Sequence, residues 1–436
     1  MVRRGRRWLA GWALLVSGLT LGCAPPAWAG SYAPEPLGPF APLNRPGPPL
    51  SPPVAAMADA LQCSGQVVAA PVTPVLLVPG TGATAASNFG WNYEPALTNL
   101  GIPWCAITFP ADGNENITVD GEYMVYAIRS MYAWAGRRIS IIGHSQGGMI
   151  PRWALRFWPD TRHMVDDQIG FAPPNQGTTV ASPNCPRGCQ PSTTQQAAGS
   201  MFIRALNSGA ETFPGISYTE VFSRDDEEVH PNQENGDSAT DLFGGGGEIT
   251  NVSVQDICPA DVVEHLGLGT YDPVAYALAI NALSHPGPAV PAEIPKSVCN
   301  EKLMPGVDPL TFAPVAAQAA FQTETSPAQT VYREPPLPCY VFARGCGSPA
   351  RARVRHPAGC TRIRSLRIDL PAPPGARTVA VSVYVGRRLW LRRHGHDLRR
   401  VTLSHLPARG SYEIVIRTRA SDGRRVVLRR RYIACG

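Results

Sequence analysis

Gly143-His144-Ser145-Gln146-Gly147 sets a serine between glycines two positions before and two positions after it. A serine hydroxyl attacks a carbonyl carbon only when a base takes its proton, and a sharp strand-to-helix turn is one way to present it. That turn crowds its own flanks, so both glycine positions must lack bulk. The neighbours suit it. Residues 139–142, Ile-Ser-Ile-Ile, read as a strand covered on both faces. Met149, Ile150, Trp153, Ala154 and Phe157 then recur at helical spacing up to Pro159. Ser145 is therefore the candidate nucleophile. The backbone N–H of Gln146, at the start of that helix, is a candidate donor to the oxyanion that acyl transfer creates.

A nucleophilic serine needs a neutral imidazole as base and a carboxylate to orient it, in the chain order serine, acid, histidine, from loops after successive strands. Residues 218–222 read as a strand that runs into Asp225-Asp226-Glu227-Glu228, and 249–254 as the next, followed by Glu264-His265. Asp225 and Asp226 are both candidates for the acid. Of the nine histidines, His265 alone follows the last sheet strand. His144 flanks the serine with its side chain directed away from the tip of the turn, as part of a pocket wall. His230 lies in the acid loop, His285 in a His-Pro-Gly turn, and His356, His394, His396 and His405 in the C-terminal tail. Glu264 reads as a solvated neighbour of His265. The early strand 75–78 stops at Pro79-Gly80-Thr81-Gly82, where a second oxyanion donor belongs, and Thr81 is the candidate through its N–H and hydroxyl.

The elements that must position these residues alternate. Strand-like runs at 75–78, 106–109, 139–142, 168–172, 218–222 and 249–254 are interleaved with helices, one of them an amphipathic run over 119–134 entered at Thr118 or Asp120. Such alternation predicts an α/β fold with a mostly parallel sheet and helices on both faces. Ahead of it, Arg3, Arg4, Arg6 and Arg7, an apolar run over 8–21 and Ala27-Trp28-Ala29 form a secretory signal over 1–29. The apolar run is too short for a membrane span. Leu21-Gly22-Cys23 offers a second route, lipid attachment at Cys23. Residues 30–58 are a proline-rich, extended and solvated leader, and 59–345 the catalytic domain.

From residue 350 to 436 the composition changes: 21 arginines, no lysine and four acidic residues. The whole chain carries a formal net charge of +6, so the rest of the exported chain is net acidic. Strand-like runs at 379–383, 401–403, 412–416 and 426–428, with a turn over 420–423, predict a small all-β, sandwich-like domain. Its charge suits an anionic cell or membrane surface, and export argues against nucleic acid. Ten cysteines remain beyond Cys23, an even number that export assigns to disulfides. Cys185 and Cys189 close a small loop, Cys360 and Cys435 bracket the basic domain, and Cys339 and Cys346 belong to the same set. No second Cys or His pair with ligand spacing lies near Cys185, so no metal is expected.

From about Pro52 to Tyr340 the chain resembles the Candida antarctica lipase B family. The resemblance rests on Leu77-Val78-Pro79-Gly80-Thr81-Gly82, Glu122-Tyr123-Met124-Val125, Ser145-Gln146-Gly147-Gly148, Phe171-Ala172-Pro173, Asp226-Glu227 with Val229 and Pro231, and the segment 258–265. It implies the α/β-hydrolase fold and a secreted serine hydrolase of triacylglycerols and simpler esters, without metal; a monomer with no cofactor is expected. It also implies Asp226 as the acid, Thr81 and Gln146 as the oxyanion pair, and disulfides Cys63–Cys105 and Cys258–Cys299. The chain departs from the family at Gly143-His144, where the family has Thr-Trp, at Pro174 and Glu228, at Pro151 inside the helix, around Cys185 and Cys189, and in its basic C-terminal domain. Two other functions fit the same residues: an envelope acyltransferase with the same triad, and a surface-binding protein in which the basic domain is the main function.

Overall fold

Apolar runs that stop at glycine-rich turns build the scaffold of the protein. The computed structural model describes residues 38–233, 238–326, 328–345, 360–361, 366–370, 376–386, 388–404, 406–407, 409–421 and 425–435. The expected signal segment, 1–29, and with it Cys23, lies outside these residues. The chain forms two compact units, 1–346 and 347–436.

The strands of the first unit are β1 (Leu61–Cys63), β2 (Val75–Val78), β3 (Trp104–Ile107), β4 (Ile139–His144), β5 (Val165–Phe171), β6 (Asn184–Cys189), β7 (Ser217–Phe222), β8 (Glu248–Ser253) and β9 (Val331–Arg333). Seven of them form one sheet in the order β1-β3-β2-β4-β5-β7-β8, parallel throughout except for the β1–β3 pair. This is the α/β-hydrolase fold, with helices on both faces of the sheet. Every residue of β2 and β4 is buried, which is why both read as apolar runs rather than as alternating patterns. Burying each of Ile139, Ile141 and Ile142 contributes about 1.5–3 kcal/mol. One face packs against the helices Ile117–Ala135 and Gln146–Phe157 through Met124, Ile128 and Trp153; the other packs against Phe89, Leu97 and Leu278.

Some boundaries differ from the sequence reading. The first long helix starts at Ile117, not at 119, because the Asn116 side chain caps it by accepting from the Thr118 N–H at 3.1 Å. Asp120, one of the expected caps, is a buried residue inside the helix. The strand expected at 106–109 spans Trp104–Ile107, because the Thr108 N–H turns to the Ala60 carbonyl and its hydroxyl accepts from Ala85 N–H. The described part of the proline-rich segment is not a solvated leader. Phe40 and Ala41 are buried, Arg156 donates to the Ala41 carbonyl, Trp158 donates to the Pro48 carbonyl, and Ser51 donates to Glu122. Its extended backbone leaves its carbonyls unpaired, and side chains of the catalytic unit satisfy them.

The expected disulfides Cys63–Cys105, Cys185–Cys189 and Cys258–Cys299 are formed. Cys339 is also disulfide-bonded, and Cys346 lies outside the described residues.

The second unit is all-β. Its strands are β10 (Cys360–Thr361), β11 (Leu366–Asp369), β12 (Thr378–Val385), β13 (Arg388–His394), β14 (Arg400–Leu403), β15 (Arg409–Ala420) and β16 (Arg425–Cys435). A five-stranded sheet in the order β10-β16-β15-β12-β13 is accompanied by the pair β11–β14. Ile368 and Leu403 share one core with Val381, Val383, Ile414 and Ile416, so the two sheets enclose apolar side chains between them. The sequence reading missed β13, where three arginines interrupt the apolar positions. First and last strands are neighbours, with Cys360 opposite Ile433, but the side chains of Cys360 and Cys435 lie outside the described set.

Candidate active site

Ser145 follows β4 at φ 53° and ψ −128°, a left-handed conformation rare for a residue with a side chain and worth about 1–3 kcal/mol of strain. Its surroundings hold it there: Ser145 N–H donates to the Phe171 carbonyl at 2.7 Å, and the Ser145 carbonyl accepts from Gly148 N–H at 2.9 Å. The flanking glycines are needed for space. A Cβ on Gly143 would stand 2.2 Å from the Gly147 carbonyl oxygen, and one on Gly147 would stand 2.1 Å from the Val78 carbonyl oxygen. Both obstacles are backbone and cannot move aside.

Ser145 opens onto a cavity of about 400 Å³ also lined by Thr81, His144, Glu228, His265 and Ala319. Asp226 and His265 meet at its edge, where His265 Nδ1 donates to Asp226 Oδ2 at 2.8 Å. Asp225 does not face the imidazole; its carboxylate takes a hydrogen bond from Gln255 Nε2 at 3.3 Å. Asp226 is 2% exposed, and its other oxygen accepts from the N–H groups of Glu228 and Val229, each at 2.8 Å. Burial pushes this carboxyl up, but the His265 charge and these hydrogen bonds outweigh it and hold it below the usual carboxylate range. Burial pushes the His265 ring down, and the charge and hydrogen bond of Asp226, with Glu228 and Glu227 adding, outweigh that and raise it. With Nδ1–H committed to Asp226, the neutral ring keeps a lone pair on Nε2. Among the described residues no hydrogen bond joins the serine hydroxyl to the ring; in free hydrolases such contacts often close only on substrate.

Thr81 and Gln146 lie together. The Thr81 hydroxyl donates to Gln146 Oε1 at 3.0 Å, and Gln196 Nε2 donates to both Thr81 Oγ1 at 3.0 Å and Gln146 Oε1 at 2.9 Å. Gln146 Nε2 donates to the Gly113 carbonyl at 2.9 Å. The hydroxyl, expected beside the Thr81 N–H as an oxyanion donor, thus points to a glutamine. The two backbone N–H groups have no acceptor among the described residues. Glu264 is not a solvated neighbour: it caps the helix His265–Leu268 by accepting from Gly267 N–H at 3.1 Å, and Tyr271 donates to it at 2.8 Å. His230 and His285 take no part. The His230 carbonyl accepts from Thr179 N–H, and the His285 ring lies against Asn281 and Pro286.

A match to the family described as Lipase (class 2) covers residues 73–257. The chain is 34% identical over 277 residues to lipase B of Pseudozyma antarctica, across 62% of this chain and 79% of that protein. The chain belongs to the lipase B family. Within solved structures it resembles Aspergillus fumigatus lipase B, with a TM-score of 0.63 and 27% identity over 71% of this chain and 77% of that one. This lipase B family member is accordingly an ester-cleaving lipase or carboxylesterase. Its family positions Pro174 and Glu228, both departures, line the same cavity as Ser145.

Sequence reasoning did not find Gln196, Asn88 or Glu227. Gln196 joins Thr81 to Gln146, Asn88 Oδ1 accepts from Gly80 N–H at 2.9 Å, and Glu227 Oε2 accepts from His265 N–H at 3.1 Å. Each contact spans residues remote in sequence or a backbone group, and residue type carries no signal of either.

Proposed function

We propose that this lipase B family member is an exported serine hydrolase that cleaves carboxylic esters of acylglycerols and simpler alcohols through a covalent acyl-enzyme. The observation that carries the reading is the 2.8 Å contact of Asp226 with His265 at the edge of the cavity that holds the strained Ser145. In it Ser145 Oγ bonds to the ester carbonyl carbon while its proton passes to His265 Nε2. The carbonyl oxygen gains negative charge between the N–H groups of Thr81 and Gln146. As the bond to the alcohol oxygen breaks, His265 gives that oxygen the proton, leaving an acyl-serine. Water, deprotonated by His265, repeats the sequence and frees the acid. Export is supported by the signal-like residues 1–29 and by three disulfides. Rapid mixing with a p-nitrophenyl ester is expected to give a burst of p-nitrophenol equal to the enzyme concentration when deacylation is the slower step. Trapped enzyme carrying no acyl group during steady turnover would overturn the covalent route.

The basic unit, residues 350–436 in this reading, holds the enzyme on an anionic surface. Its open sheet face supports this. Arg392 and Arg417 both pair with Ser382 across the strands, Arg419 lies opposite Ala380, and Arg417 stacks over Tyr384 at 5.2 Å. All three arginines are exposed. Reversing them together, with Arg392→Glu, Arg417→Glu and Arg419→Glu, is expected to weaken salt-sensitive binding to phosphatidylserine vesicles by about 100-fold or more. Turnover of a soluble ester should stay unchanged. Equal vesicle binding by the variant would contradict the assignment.

A further inference from the structure

His144 stands where the family has tryptophan, and its imidazole is engaged at several points. Nε2 lies 3.0 Å from the backbone carbonyl oxygen of His265, and Nδ1 lies 3.2 Å from Asn88 Oδ1. A carbonyl oxygen can only accept, so Nε2 carries the hydrogen of the neutral ring. Nδ1 then has no hydrogen to give Asn88 Oδ1, which accepts instead from Gly80 N–H at 2.9 Å. The ring also packs against the two elements that it bridges. A Cβ on Gly269 would stand 2.1 Å from His144 Cδ2, and one on Gly80 would stand 3.5 Å from His144 Nδ1 and 3.2 Å from Ser145 Cβ. The rings of His144 and His265 face each other at 5.1 Å. A bulkier residue at 269 would expel the imidazole, so the glycine belongs to the same device.

Resting on the triad reading above, we propose that His144 is a positioning residue: through Nε2–H it ties the backbone of His265 to the residue beside the serine. The base of a triad hydrolase must hold its orientation to a fraction of an ångström while the proton moves twice. Three contacts now fix His265: Asp226 on Nδ1, Glu227 on the backbone N–H and His144 on the carbonyl. The third links the base to the residue next to the nucleophile, so the two move as one. Burial pushes the His144 ring down to about 3, with the His265 charge adding to the effect, so it stays neutral while His265 titrates. A charged ring there would repel the imidazolium that forms on His265 during each turnover.

The test compares two variants with the wild type on p-nitrophenyl butyrate. His144→Phe keeps a ring of similar size and removes both nitrogens; kcat is expected to fall about 30- to 100-fold with KM changed less than about threefold, as for a displaced catalytic group. His144→Gln restores an N–H donor toward the His265 carbonyl and is expected to recover about tenfold of the loss. Both must unfold in a cooperative transition near that of the wild type. If His144→Phe keeps kcat within about twofold, or if the glutamine variant is as slow as the phenylalanine variant, His144 only fills space. A parallel Ser145→Ala assay separates the premises: activity surviving there would sink the triad reading, whatever the His144 variants do.

Discussion

Ser145→Ala is expected to lower kcat on p-nitrophenyl butyrate by about 10⁶-fold, with KM little changed and the unfolding transition intact. The oxygen that bonds to carbon is the only atom lost. The oxyanion N–H groups and the cavity remain, and they alone sustain roughly 10³ to 10⁴ over the uncatalysed rate in enzymes of this kind. Because His265 is held by Asp226, Glu227 and His144 rather than by the serine, its loss does not release the base. A water could then reach His265, but it would lack the fixed position of the hydroxyl. Steady-state kinetics on chromatographically pure variant would settle the size of the effect, and a fall of less than about 100-fold would remove Ser145 from the chemistry.

Asp226→Asn is the second large effect, about 10⁴-fold in kcat. The amide preserves shape, yet it presents either an N–H to His265 Nδ1, which selects the wrong tautomer, or an oxygen without the charge that stabilises the imidazolium. The pH profile should move as well. In the wild type Asp226, helped by Glu228 and Glu227, raises His265 despite burial, and the base works only when neutral. The acid limb of kcat/KM should therefore lie above the ~6.5 of an ordinary histidine. Without the carboxylate, burial pulls the ring down and the limb should shift to lower pH. The same pairing enters stability with a definite sign. Asp226, depressed in the fold, contributes above its unfolded pKa and loses that contribution as pH falls through the folded value. His265, raised in the fold, contributes below its unfolded pKa and loses that as pH rises through the folded value. An unchanged acid limb in the asparagine variant would contradict both statements.

What could be read from the residues follows from where their constraints act. The serine turn was legible because its requirement is local: glycines 143 and 147 are forced by backbone atoms a few residues away or by the adjoining strand. The buried strands were legible because two covered faces leave a continuous apolar run. The acid was legible only to within one position. Asp225 and Asp226 share a loop, and only the loop's path decides which one meets the imidazole; the family likeness pointed to Asp226, and the structure sets that carboxylate against His265. Its place beside the serine puts His144 in the cavity wall, which it does line, but its hydrogen bond to His265 joins residues whose approach depends on the whole sheet. The leader looked solvated because proline-rich sequence rarely packs. Nothing local showed that Arg156 and Trp158 would draw its carbonyls in.

The central claim is that Ser145 Oγ, served by His265, accepts the acyl group. An alkyl fluorophosphonate followed by peptide mass mapping tests it most directly. Inactivation with one phosphonate per chain, carried on the peptide containing Ser145 and absent from the Ser145→Ala variant, is the expected result. Stoichiometric inactivation with the phosphonate on any other residue would contradict the account.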